Sequence, residues 1–148
     1  MRVLIVLAAI SLLSTPTVAD YYYNGHTYFL TDSRLSWFDA EAEARAWGGH
    51  LVTINDYLEQ NWLADTFRRP NGCEDACWIG FNDVEQEGTW VWTNGESVLY
   101  TNWFGTSEPN DCGGNEDAAV INGHPGGTWN DLPVTRLYYG IIELPWED

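Results

Sequence analysis

Polar and apolar positions in the first half of the chain follow two periods, and each period names an element. Thr27-Tyr28-Phe29-Leu30, after an Asn-Gly turn, predicts a short strand. Ser36 can cap a helix with Asp39 at its third position, and Trp37, Ala40, Ala44 and Trp47 then share one face before Gly48-Gly49 stops it. Leu51 to Ile54 is extended. Asn55 or Asp56 caps a second helix whose apolar side is Leu58, Trp62, Leu63 and Phe67, with Arg68 and Arg69 near its end and Pro70 beyond. Past Gly72 the pattern becomes strand-like: residues 78–81, 89–92, 118–121, 127–129 and 138–143. Residues 102–117 show little periodicity, and a loop of that length in a compact domain is usually functional or disordered. Helices early and antiparallel strands late predict an α+β fold.

Composition changes this picture at the amino terminus. Met1-Arg2, an apolar run from Val3 to Leu13 broken only by Ser11, and Thr17-Val18-Ala19 have the plan of a cleaved secretory signal over residues 1–19. The run is too short to span a bilayer, which takes about twenty residues. One domain of residues 20–148 then remains, long enough for its own core. The product is expected to be secreted, or periplasmic in a bacterium, with no membrane span. Export permits disulfides among Cys73, Cys77 and Cys112, although three thiols cannot all pair within one chain.

Charge narrows the partners. The chain carries a formal net charge of −16 and no lysine. Such a surface repels nucleic acid and anionic membranes and attracts cations. The carboxylates concentrate in "SEPNDCGGNEDAAV" (107–120), where Glu108, Asp111, Glu116 and Asp117 lie with no basic neighbour. Packed carboxylates raise one another's pKa unless a cation is present, and oxygen-rich ligand sets suit Ca²⁺. Further oxygen donors stand at Asp83 and Glu87, Asn110, and Asn130 and Asp131. An EF-hand beginning at Asp83 matches at Glu85, Glu87 and Gly88 but meets Asn94 where a bidentate glutamate must stand. The ligands must therefore be gathered from distant segments.

"WIGF" (78–81), "TNW" (101–103), "EPN" (108–110), "NED" (115–117) and "WND" (129–131) stand in the order and spacing of a C-type lectin domain, and "GGHLVTI" (48–54) and "YYGIIE" (138–143) fit as well. The resemblance covers about residues 21–145. It implies a C-type lectin-like domain with two helices, antiparallel sheets and a long calcium-binding loop. Position by position, Glu108, Asn110, Glu116, Asn130 and Asp131 match the ligands of the sugar-binding calcium, with a cis bond before Pro109. Asp83, Glu87, Asp111 and Asp117 match those of a second calcium. Two sugar hydroxyls would replace water on the first ion, with carboxylates accepting from them and amides donating to them. The EPN order implies a preference for mannose, GlcNAc or fucose type glycans, and the galactose-linked QPD order is absent.

The resemblance fails at two places. The family normally carries two disulfides, and its paired positions match Ala44 with Ile142 and Ala118 with Val134, all apolar here. Core packing is expected to replace both bridges. Of the nine tryptophans, Trp37, Trp47, Trp62, Trp78, Trp90, Trp92 and Trp129 are assigned to the core, while Trp103 and Trp146 stay open between core and sugar stacking. His50 is read as structural, and His26 and His124 as exposed. No HExxH, G-x-S-x-G or Cys–His motif suggests an enzyme. The alternative to a lectin is a calcium-binding module of the same fold that recognises a protein or an ice surface.

Overall fold

The structure is a computed structural model, and it describes residues 20–68 and 76–145. The proposed signal segment, Arg69, Pro70, Cys73 and Trp146 lie outside them. In chain order the elements are β1 (Tyr21–Tyr23), β2 (His26–Leu30), α1 (Trp37–Ala46), β3 (His50–Leu51), α2 (Tyr57–Thr66), β4 (Cys77–Asn82), β5 (Val91–Trp92), β6 (Ala118–Ile121), β7 (Asn130–Leu132) and β8 (Tyr139–Leu144). The strands run β1-β2-β8-β4-β6-β7, with β3 on β8 and β5 on β4. This is an α+β fold, as the pattern predicts, but its sheet is mixed. β4 and β8 pair in parallel, Cys77 opposite Tyr139 and Trp78 opposite Gly140, while the other pairs are antiparallel. Nothing in a local pattern distinguishes a parallel from an antiparallel partner when both strands are buried.

Both helices start where their caps dictate. The Ser36 hydroxyl accepts the Asp39 N–H at 3.2 Å. At α2 the choice falls on Asp56, whose Oδ1 accepts from Leu58 N and Glu59 N at 2.8 and 2.9 Å. Their buried faces differ from the apolar stripes of the sequence. On α1, Trp37, Ala40 and Ala44 are buried, but Trp47 closes the helix and remains 56% exposed, meeting the edge of Phe29. On α2, Leu63 and Phe67 are buried and Trp62 half-buried, whereas Leu58 is 69% exposed. Glu59 and Gln60 take the interior instead, because their side chains satisfy buried donors and acceptors: Glu59 accepts from Asn55 N (2.9 Å) and Tyr28 OH (3.0 Å).

Two strand expectations also move. The strand expected at 89–92 is only Val91–Trp92, and residues 125–127 form a 3₁₀ turn, with the next strand beginning at Asn130. The principal core gathers Trp92, Trp129, Phe81, Ile54, Leu63, Ile79 and Ile141. Trp90 and Trp103 pack against it, with Trp103 ring centroids 4.7 Å from Trp90 and 5.8 Å from Trp129. Trp103 thus belongs to the core edge. The four positions that lack cysteine lie in or against buried apolar clusters. Ala44 and Ile142 share one buried cluster, and Val134 packs against the cluster holding Ala118. Cys77 is buried and Cys112 is exposed, with no disulfide to Cys112.

Candidate functional site

The site is built outward from Trp129. Its indole is fully buried, and its Nε1–H donates to Gln60 Oε1 at 2.7 Å. Gln60 Nε2 donates in turn to Gly127 O at 2.8 Å. The segment 102–104 lies alongside, with Trp129 N donating to Asn102 O (2.8 Å) and Phe104 N to Trp129 O (3.1 Å). These contacts fix the start of β7, where Asn130 and Asp131 stand opposite Val120 and Ala119 of β6. Asp131 is fully buried and carries the long loop. Its two oxygens accept from Asn110 N at 3.1 and 3.0 Å, and Oδ2 also accepts from Asp111 N at 2.7 Å. The Glu108–Pro109 bond is cis, and Asn110 Nδ2 donates to Glu108 Oε2. Glu116 Oε2 accepts from Cys112 N at 2.8 Å.

A second group lies where β4 ends. Asp83 N donates to Asp117 O at 3.1 Å, which brings the carboxylates of two distant segments together, and Gly88 N caps Asp83 Oδ2 at 2.8 Å. One oxygen each from Asp83, Glu87 and Asp117 lies within 4.8 Å of the others. Asp111 is hydrogen-bonded to the first group and acts on Glu87 of the second through its charge. Its N–H reaches Asp131, and its Oδ1 accepts from Glu116 N at 3.0 Å. Asp111 adopts a φ of 45°, a left-handed conformation that Asp tolerates better than most residues.

The electrostatics are those of crowded acids. Desolvation raises the Asp83 carboxyl above its ordinary range, and the charge of Asp117 adds to it. Glu87 is raised by desolvation and by Asp83, Asp111 and Asp117. Desolvation and the neighbouring Asp131 raise Glu108, and desolvation, Asp131 and Asp111 raise Glu116 against the opposing Cys112 N–H. Among the described residues no arginine forms an ion pair with either group. Two buried oxygens, Asp83 Oδ1 and Asn130 Oδ1, have no hydrogen-bond partner. A buried acceptor without a donor calls for a ligand. The donor set is oxygen throughout, and it fits a hard divalent cation.

A model of the lectin C-type domain matches residues 33–141. The chain belongs to the C-type lectin domain family. The hepatic lectin of Gallus gallus is 37% identical over 126 residues, which cover 84% of this chain and 57% of that protein. This C-type lectin domain therefore spans little more than half the length of that relative. Among solved structures, the mouse scavenger receptor C-type lectin carbohydrate-recognition domain aligns with a TM-score of 0.77 at 29% identity, covering 90% of this chain and 98% of that one. Herring type II antifreeze protein aligns with a TM-score of 0.74 at 25% identity, covering 90% of this chain and 100% of that one.

All nine acids and amides singled out in the sequence of this C-type lectin domain lie in or beside these two groups. Three further residues border the groups: Gln60 and Phe104, which the sequence did not single out, and His124, which it read as exposed. Gln60 is a polar position within α2. Phe104 is an aromatic of the long loop, beside Trp103. His124 is only partly exposed, and its Nε2 lies buried 3.5 Å from Glu108 Oε1. For Gln60 and His124 no local pattern carries a signal, because each acts through a residue 16 to 69 positions away.

Proposed function

We propose that this domain is a calcium-dependent carbohydrate-binding module with a preference for glycans bearing mannose-like 3- and 4-hydroxyls. What carries the reading is the arrival of Glu108 and Asn110 beside Asp131, which lies 21 positions beyond Asn110, with the unpartnered Asn130 Oδ1 beside them on β7. Glu108, Asn110, Glu116, Asn130 and Asp131 would hold one Ca²⁺, and Asp83, Glu87, Asp111 and Asp117 a second. A bound calcium ion would offer open coordination positions to hydroxyl oxygens. Around it, Glu108 accepts hydrogen bonds from the sugar hydroxyls and Asn110 donates through its amide. Asp131 holds the loop by its backbone N–H groups, so its contribution is largely one of placement. No catalytic role is proposed. Residues 1–19 are proposed as a cleaved export signal, which would put residues 20–148 outside the cell.

The test is chelation and exchange of pattern. Wild-type protein should stay on mannose-agarose in calcium and leave with EDTA or free mannose. Glu108→Gln with Asn110→Asp reverses acceptor and donor about the ion and should shift preference toward galactose. An unchanged sugar profile would count against the site. The likeness to herring antifreeze protein supports a second reading, in which the same calcium loop meets ice. Thermal hysteresis in calcium, with no retention on any sugar matrix, would favour it.

A further inference from the structure

His124 and Phe104 stand outside the proposed ligand set, yet they border it. The imidazole and the phenyl ring stack with centroids 4.2 Å apart and an interplanar angle of 17°. Imidazole Nε2 sits 3.5 Å from Glu108 Oε1, so the stack begins at the first proposed calcium ligand. That nitrogen is buried and makes no hydrogen bond. Neither ring hangs on a free loop. Phe104 N is tied to Trp129 O, and Ser107 Oγ donates to Phe104 O at 3.0 Å. The turn after His124 is held by Thr128 Oγ1 on Pro125 O (3.1 Å) and by Gln60 on Gly127 O (2.8 Å). Both rings thus ride on the scaffold that fixes Asn130 and Asp131.

Phe104 is 39% exposed although its ring is covered by the imidazole on one side. An aromatic face carries partial negative charge, and the C–H bonds on the apolar face of a pyranose present partial positive charge. A fixed and partly open ring next to a diol-binding position therefore matches the neighbouring sugar of a chain. We propose that the stacked rings of Phe104 and His124 form a shelf beside Glu108 that receives the apolar face of a second pyranose ring. The site then reads a disaccharide or longer glycan rather than a single sugar. This rests on the calcium-dependent sugar reading above and adds to it the class of ligand.

The experiment is calorimetric titration of the full chain in saturating calcium with methyl mannoside, mannobiose and mannotriose. Wild type should bind the oligosaccharides about fivefold or more tightly than the monosaccharide, the size of one aromatic contact. Phe104→Ala and His124→Ala should bring that ratio close to one, and Phe104→Trp, which keeps a ring, should restore it. A wild-type ratio of one, or a ratio unmoved by Phe104→Ala, overturns the shelf while leaving the calcium site standing. A parallel loss of calcium affinity in Phe104→Ala also overturns it, since the pair would then merely hold Glu108. Wild type that takes up calcium and binds none of the three sugars overturns the shelf and the sugar reading together.

Discussion

Gln60 is fully buried, and both ends of its amide are occupied, one by Gly127 O and the other by the Trp129 indole. Removing the amide leaves a buried carbonyl and a buried N–H unpaired, at about 1–3 kcal/mol each. Gln60→Leu should therefore lower stability by about 2–4 kcal/mol. It should also weaken calcium binding more than Leu63→Ala does, because Gln60 is hydrogen-bonded to the segment leading to Asn130 and the aliphatic Leu63 side chain cannot be. Denaturation paired with calcium titration separates the two effects. Glu143 makes a different residue-level case. Burial, followed by the charges of Glu59 and Glu96, pushes its carboxyl up to about 7, although Thr53 N and Tyr28 OH donate to it. His26 Nδ1 lies 2.8 Å away. With the folded value above the unfolded one of 4.5, the folded state holds the proton more tightly. The stability linked to this group is present below pH 4.5 and is lost as pH rises to about 7. The loss is on the order of 3 kcal/mol. Urea melts in EDTA should show wild type weaker at pH 8 than at pH 5, and Glu143→Gln should reduce that slope. Equal slopes would show that Glu143 is not the group responsible.

Among the elements, the long loop and β7 behave as one unit, since Asp131 binds the backbone of residues 110 and 111. Raised carboxylates in the metal-free loop favour the protonated folded state, so the stability they contribute falls as pH rises through their range. Calcium reverses the sign, because its ligands must be deprotonated. The gap in melting temperature between calcium and EDTA should thus widen from pH 5 to pH 7.5, and a gap that is constant with pH would mean protons and metal do not share these groups. The helices show where local patterns mislead. The periodicity of Leu58, Trp62, Leu63 and Phe67 is real, yet α2 turns Glu59 and Gln60 inward and leaves Leu58 in water. A polar side chain with a buried partner outcompetes an apolar one for the interior, and the partner lies on another element.

At the scale of the molecule, apolar contacts stand where the family's bridges would be. Ala44 of α1 and Ile142 of β8 share one buried cluster, and Val134, between β7 and β8, packs against the cluster that holds Ala118 of β6. A missing bridge typically removes about 2–4 kcal/mol by leaving the unfolded chain freer. Calcium held at the proposed sites would then supply more of the stability, since a ligand that binds only the folded state stabilises it. Adding Ala44→Cys with Ile142→Cys in oxidising conditions should raise the melting temperature in EDTA and shrink the calcium-dependent gap. A doubly substituted, oxidised protein with an undiminished gap would place the effect elsewhere. The motifs around 78–81, 108–110 and 129–131 made the fold class legible in sequence and pointed to the acidic and amide groups of the proposed site, because capping, turn chemistry and ligand type are local properties of the residues that carry them. The sequence by itself thus determined which groups gather charge and where the two helices lie. Only the tertiary structure decided the parallel β4–β8 pairing, the inward turn of Gln60, the exposure of Trp47 and the stacking of His124 on Phe104. Each of these depends on a partner far away in the chain, and the free energy that selects it exists only once the chain has closed around both.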